Sequence, residues 1–166
     1  GLQYQLRTLS AIGAINPAVV KIMYFNSFMA FPYYEVETTL VQQDLLLKNL
    51  SGDLVAFPND NGLWVHVPDF SKPATVDLWM AVMVNATQTG HVDGFYADKY
   101  QINITQTDKG WLVGNKGVKH YVSAEVAQAW NAGHQQVLQH RSLHCGVVAD
   151  HPQVPLMLYR IRPVEQ

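Results

Sequence analysis

Cysteine is almost absent from this sequence of 166 residues, in which Cys145 stands alone. A single thiol cannot form an internal disulfide, so the chain is not a small disulfide-stabilised scaffold. It also excludes a zinc site built from several cysteines. Cys145 lies in the apolar run 145–149, and we expect a buried, inert thiol there rather than a nucleophile.

Charged side chains are scarce as well. They make up 14% of the chain, compared with about 25% in an average globular protein. The formal net charge of -2 excludes nucleic-acid binding driven by bulk positive charge, so we expect no nucleic-acid partner. No apolar run approaches the roughly 20 residues that cross a bilayer, so we also expect no membrane span.

Several familiar catalytic motifs are missing. No Gly-x-Gly-x-x-Gly or P-loop follows a strand-like run, which argues against nucleotide binding. The Gly-x-Ser-x-Gly turn of serine hydrolases and the His-Glu-x-x-His helix of zinc proteases are absent too. His140 and His144 are four residues apart, but the helix is expected to end before the second. We therefore expect neither a metal nor another cofactor.

Apolar residues nevertheless make up 48% of the chain, enough to build a core. β-rich apolar runs predict strands over residues 19–26, 63–68, 91–97 and 145–149, and a fifth near 155–161. Helical spacing of apolar residues predicts helices near 2–12, 73–89 and 124–138. Residues 100–122 form a polar segment that either is functional or contains a small hairpin.

Strands that alternate with helices imply parallel βα units with right-handed crossovers. Three architectures fit this order: an open doubly wound sheet, a complete small barrel, or part of a TIM-type (β/α)8 barrel. We favour the last, with residues 1–166 as one barrel-like domain or partial barrel. Because the first residue is Gly1 rather than Met, we expect the sequence to be an excerpt from a longer chain.

The predicted strands end in polar residues, and ligands of parallel α/β sheets bind at these carboxyl ends. The residues at these ends are Asn26, Asp69, Asp98 with Lys99, and Asp150. For Asp69, capping of the following helix is an equally good explanation. Along the third strand, Tyr96 and Asp98 share one face by alternation, whereas Asp93 lies on the other face and is expected to be structural.

Three segments carry a resemblance to a known family. They are Ile15-Asn-Pro-Ala-Val-Val-Lys-Ile-Met-Tyr-Phe-Asn26, Val67-Pro-Asp-Phe-Ser-Lys-Pro73 and Gly90-His-Val-Asp-Gly-Phe-Tyr-Ala-Asp98. Their order, with a Trp-bearing helix between the last two, resembles (β/α)-barrel glycoside hydrolases that carry an Asp-Gly-x-x-x-Asp strand. The resemblance covers roughly residues 10–100. It implies that Asp98 is a nucleophile or base and that Asp69 and Asn26 line a sugar site.

A glycosidase usually needs a second carboxyl group as proton donor. No Glu ends a predicted strand, so the donor would be Asp69, Asp150, Glu35 or a residue outside this sequence. The expected function is therefore hydrolysis of a glycan by carboxylate acid/base chemistry. The alternative is a non-catalytic barrel that binds carbohydrate or a protein partner, including the remainder of its own barrel.

Aromatic residues in the polar inserts offer platforms on which a sugar ring can stack. We expect Tyr33, Tyr34 and Trp111 to be exposed for this purpose. Asn26, Tyr96, Lys99 and Asp150 complete the predicted substrate-binding set, with Asp98 and Asp69 as the predicted catalytic pair.

Three Asn-x-Ser/Thr sequons occur, at Asn49, Asn85 and Asn103. Such sequons are glycosylated in secreted proteins. Three in a chain of this length favour a secreted glycoprotein, although chance is the alternative.

Overall fold

The structure is a computed structural model that describes residues 1–98, 104–139, 145–147 and 158–161. Its helices are α1 (Leu2–Ile15), α2 (Glu35–Gln42), α3 (Pro73–Gln88) and α4 (Ala124–Gln139). Its strands are β1 (Ile22–Asn26), β2 (Ala56–Pro58), β3 (Trp64–His66), β4 (Gly94–Asp98), β5 (Ile104–Thr107), β6 (Gly110–Asn115), β7 (Val118–Val122), β8 (Cys145–Val147) and β9 (Leu158–Ile161). Within these ranges, no helix combines the length and apolar character that a membrane span requires.

The two longest helices form where apolar spacing predicts them. In α3, Pro73 occupies the first turn, where its missing N–H costs nothing. Val76, Trp79 and Met83 follow at helical spacing and are buried. α4 buries Trp130 in the same way, and its indole N–H donates to the carbonyl of Pro68 at 2.8 Å. Both helices therefore pack against the segment that joins β3 to α3.

The main sheet has the strand order β1-β4-β9-β8. β1 pairs with β4 in parallel, in a register that places Ile22 opposite Gly94 and Asn26 opposite Asp98. β9 is antiparallel to both β4 and β8. Among the described strands, β1 and β4 form the single parallel pair.

The prediction of parallel βα units within a (β/α)8 barrel is therefore wrong. A barrel requires each strand to lie parallel between two neighbours. Instead, β3 pairs antiparallel with β2, and it also bridges to Ala30. These contacts keep β3 out of the main sheet, so β1 pairs directly with β4. The other edge of β4 is occupied by antiparallel β9, and the sheet does not close within the described residues.

Much of the polar segment from 100 to 122 forms a second antiparallel sheet, in the order β5-β6-β7. The turn into β6 uses Gly110, and the turn into β7 uses Lys116 and Gly117, all with positive φ. Glycine adopts this backbone conformation without strain, which explains its presence in both turns. The alternative of a small hairpin in this segment is thus the correct one.

The core between β1, α3 and α4 is built from large aromatic rings. Trp79 lies 5.0 Å from Phe25 and 5.8 Å from Phe70, measured between ring centroids. Phe70 in turn contacts Trp130 at 5.3 Å. Such pairs contribute about 0.5–1.5 kcal/mol each beyond the area they bury. The rings therefore join the end of β1 to the loop that follows β3.

Candidate functional site

The candidate site lies at the carboxyl end of the parallel pair β1–β4. Tyr24 and Tyr96 are register partners whose rings are 5.9 Å apart. Tyr24 is exposed and Tyr96 half-buried, whereas Phe95 on the opposite face is buried. Two positions further on, Asn26 and Asp98 are register partners, and strand alternation places both positions on the Tyr24–Tyr96 face.

Asn26 fixes the loop that leaves β1. The residue is 2% exposed, and its Oδ1 accepts the backbone N–H of Phe28 at 3.1 Å and that of Met29 at 2.8 Å. This arrangement satisfies two N–H groups that would otherwise be buried without partners. The carbonyl oxygen of Asn26 is thus committed to its own loop.

Asp69 is buried at the start of the segment leading into α3. Its Oδ1 accepts the Ser71 hydroxyl at 2.5 Å and the Ser71 N–H at 3.2 Å. Its Oδ2 lies 3.7 Å from the ammonium of Lys72. These are the contacts expected of a carboxylate that holds a helix entrance, which is the structural alternative that the sequence leaves open for Asp69.

The buried polar side chains lie at the end of β1, in the loop that leads into α3, and on α3 and α4. Those described as buried are Asn26, Ser27, Asp69, Thr75 and His134. His134 stacks on the rings of Phe70 and Trp130, at 5.3 and 4.7 Å. Buried polar groups are informative because burial penalises them unless they have partners. The interior next to the candidate site is therefore more polar than the remaining core.

Two polar atoms of α3 lie in this interior without a hydrogen-bond partner among the described residues. They are Thr75 Oγ1 and Trp79 Nε1, and both residues are fully buried. Thr75 precedes Trp79 by one helical turn, so both side chains lie on the same face of α3. This face packs toward Phe25 and Phe70.

The predicted aromatic platforms differ in exposure. Tyr33 is 51% exposed and stacks on Phe31 at 5.1 Å, and partial burial raises the pKa of its phenol. Tyr34 is only 2% exposed and stacks on Phe25, so the expectation of an exposed Tyr34 is wrong. Its position at the start of α2 turns the ring inward. Trp111, half-buried on β6, packs against the core.

Three predicted residues lie outside the described ranges, namely Lys99, Asn103 and Asp150.

The carboxylates of Glu35 and Asp93 have structural partners. Glu35 Oε2 accepts the N–H of Leu2 at 3.3 Å, which ties α2 to α1. Glu35 also lines an apolar cavity of about 400 Å³ between α1, α2 and α3. Asp93 accepts the N–H of Lys21 at 2.8 Å and lies 3.6 Å from its ammonium. The prediction that Asp93 is structural is thus confirmed.

Sequence analysis missed one pair of ionisable residues. His66 Nδ1 lies 3.0 Å from Glu37 Oε1, and both side chains are partly exposed. Alternation along β3 could have identified the outward face of His66, since Val65 and Val67 on either side are buried. No local signal could have identified its partner, which lies 29 residues earlier on α2.

The two described sequon asparagines have different surroundings. Asn85 is exposed on α3, at the edge of the apolar cavity. Asn49 is half-buried in a turn, where its Oδ1 accepts the N–H groups of Ser51 and Asp53. Its Nδ2 lies 3.4 Å from Asp53 Oδ2. Asn85 is therefore the more accessible acceptor of the two.

Within the described ranges, no three His, Cys, Asp or Glu side chains come close enough to hold a metal ion. No protein-family model matches this chain, and no curated protein is significantly similar to it.

Proposed function

We propose that this chain acts on a glycan by carboxylate acid/base chemistry, with Asp98 as the nucleophile or base. The observation that supports this proposal is the arrangement of one face of β1–β4. There a tyrosine pair, Tyr24 and Tyr96, is followed toward the carboxyl end by Asn26 and Asp98. The resemblance to glycoside hydrolases implies the same role for Asp98, although the fold is not their barrel.

This arrangement suits a sugar ring chemically. Tyrosine rings offer apolar faces on which the C–H face of a pyranose can stack, and their hydroxyls can bind its hydroxyl groups. Successive residues on one face of a strand are about 6.6 Å apart. A sugar on the Tyr24–Tyr96 pair therefore extends to the level of Asp98. A carboxylate there serves as nucleophile, or as base toward a water molecule.

The proton donor in this proposal is Asp69. The ring contacts from Phe70 through Trp79 to Phe25 connect its loop to the end of β1. Hydrolysis requires the two carboxyl groups to lie about 5–10 Å apart. It also requires an oxygen of Asp69 to face the leaving group, whereas Oδ1 accepts the Ser71 hydroxyl and Oδ2 lies 3.7 Å from the Lys72 ammonium.

That last contact favours a second candidate function, a non-catalytic domain that binds carbohydrate. The contacts with Ser71 and Lys72 engage both oxygens of Asp69 at the entrance to α3. A carboxylate held in this way serves its own loop rather than a leaving oxygen. The tyrosine pair would still serve binding without turnover.

We also propose that the chain is secreted, as its sequons suggest. The exposed position of Asn85 supports this part of the proposal. A mobility shift on treatment with an N-glycosidase, lost in Asn85→Gln, would support it, whereas an unmodified Asn85 after expression in a secreting eukaryotic cell would contradict it.

A screen of the protein against chromogenic α- and β-glycosides tests the main proposal. Release of the chromophore from at least one glycoside supports catalysis. Binding of a glycan without turnover of any glycoside supports the second candidate. If the protein neither turns over nor binds any glycan, both candidate functions are contradicted.

A further inference from the structure

We propose that the outward face of the β2–β3 hairpin is a second carbohydrate-binding surface, formed by Trp64 together with the His66–Glu37 pair. This inference rests on the proposed glycan-directed function and adds a subsite separate from the tyrosine pair. We call it the hairpin surface, and define it by Pro58, Trp64, His66 and Glu37.

The first observation is an exposed indole on a rigid element. Trp64 is 56% exposed, although tryptophan is usually well buried. It lies on a strand whose next residue, Val65, is fully buried, so the backbone beneath the indole is fixed by the core. Pro58 is its register partner on β2. Register partners on antiparallel strands lie side by side on one face, so Pro58 adds apolar surface next to the indole. Tryptophan is among the residue types enriched in binding hot spots.

The second observation is a polar pair at the correct distance from the platform. His66 lies on the same face as Trp64, two residues along β3, which is about 6.8 Å. Its Nδ1 is 3.0 Å from Glu37 Oε1, and the two side chains are 24% and 14% exposed. The partner of His66 across the hairpin is the small residue Ala56.

Together these groups match a pyranose rather than an apolar partner. The indole provides stacking for the C–H face of the ring, and the imidazole and carboxylate provide hydrogen-bonding groups for hydroxyls at its edge. A purely apolar partner would cover His66 Nε2 and Glu37 Oε2, which do not take part in the bond between the two residues, and burial of such atoms without a partner is costly. The chemical class of ligand is therefore a neutral polysaccharide.

Affinity electrophoresis in native gels that contain a soluble polysaccharide tests this surface. The probes are xylan, glucomannan, galactomannan and hydroxyethyl cellulose, each in a separate gel. We expect at least one to retard the wild-type protein. Trp64→Ala should weaken that binding by about tenfold or more, whereas Trp64→Phe should retain much of it. Glu37→Gln should give an intermediate loss.

Tyr4→Ala is the matched control, because Tyr4 is 73% exposed on α1, away from the hairpin. It should bind as the wild type does. Equal retardation of Trp64→Ala and wild type, or no retardation by any probe, would overturn the inference. Retardation that depends on Trp64 without turnover of any glycoside would leave the surface standing and contradict hydrolysis. Turnover of a glycoside, together with equal retardation of Trp64→Ala and wild type, would support hydrolysis and overturn the hairpin surface.

Discussion

Replacing Gly133 with alanine tests how closely α4 approaches the loop next to the candidate site. A Cβ atom at position 133 would lie 1.9 Å from the carbonyl oxygen of Phe70 and 3.2 Å from Val76 Cγ2. The first distance is far inside van der Waals contact, and the atom it meets is backbone. The helix and the loop must therefore separate.

The expected cost follows from two opposing effects. Overpacking of this kind costs about 1–3 kcal/mol. Alanine in a helix interior is more favourable than glycine by about 1 kcal/mol. Because Trp130 holds α4 to Pro68 by a hydrogen bond, the helix cannot withdraw without losing it. We therefore expect an overpacking cost near the upper end of this range. After the gain from alanine, the free energy of unfolding should fall by about 2 kcal/mol.

Gly13→Ala is the matched control in α1. There the new Cβ would lie 3.2 Å from Lys21 Cδ, the middle of a flexible side chain that can move. We expect the free energy of unfolding to stay equal or rise by up to about 1 kcal/mol. Urea denaturation followed by circular dichroism measures both variants. A Gly133→Ala protein as stable as the wild type would refute the close approach of α4 to Phe70.

Two further predictions concern Asn26 and Asp44. Asn26→Ala removes the acceptor of two buried N–H groups and should lower the free energy of unfolding, measured by urea denaturation, by about 2–3 kcal/mol. Asn26→Asp keeps an acceptor oxygen and should lower it less. Equal losses of stability in the two variants would contradict this role of Asn26. The hydrogen bond and charge of Lys48, with the charge of Lys72, lower the pKa of the Asp44 carboxyl. The stabilisation from this interaction is therefore present above the ordinary aspartate pKa and is lost as pH falls through the lowered value. An NMR titration should show the Asp44 pKa rising in Lys48→Gln, and an unchanged pKa would contradict the assignment.

Local pattern predicted α1, α3 and α4 and the strands β1, β3, β4, β8 and β9, because it depends on side-chain spacing within one element. The stripe of α3, with Trp79 at its centre, is an example. Strand pairing does not follow from local pattern, since an apolar run of strand length suits a parallel or an antiparallel neighbour equally. β3 pairs with β2, which a short turn brings alongside it. This antiparallel pairing is incompatible with a barrel of parallel strands.

The candidate site was predictable to a similar extent. Alternation along β4 correctly assigned Asp93 to a structural role. The inward turn of Tyr34 could not be predicted, because it depends on the packing of α2 against Phe25. The pairing of His66 with Glu37 depends on how α2 meets β3, a tertiary contact between distant parts of the chain.

The most direct test of the central claim compares Asp98→Asn with Asp93→Asn. The two aspartates lie near opposite ends of one strand, and each substitution removes one charge at nearly constant shape. We predict that Asp98→Asn lowers kcat/KM on a responsive glycoside by at least about 100-fold, the effect of losing a positioned acid or base, while folding is retained. Asp93→Asn should weaken stability through the lost ion pair with the Lys21 ammonium and leave turnover near the wild-type value. Normal turnover in Asp98→Asn would contradict the account.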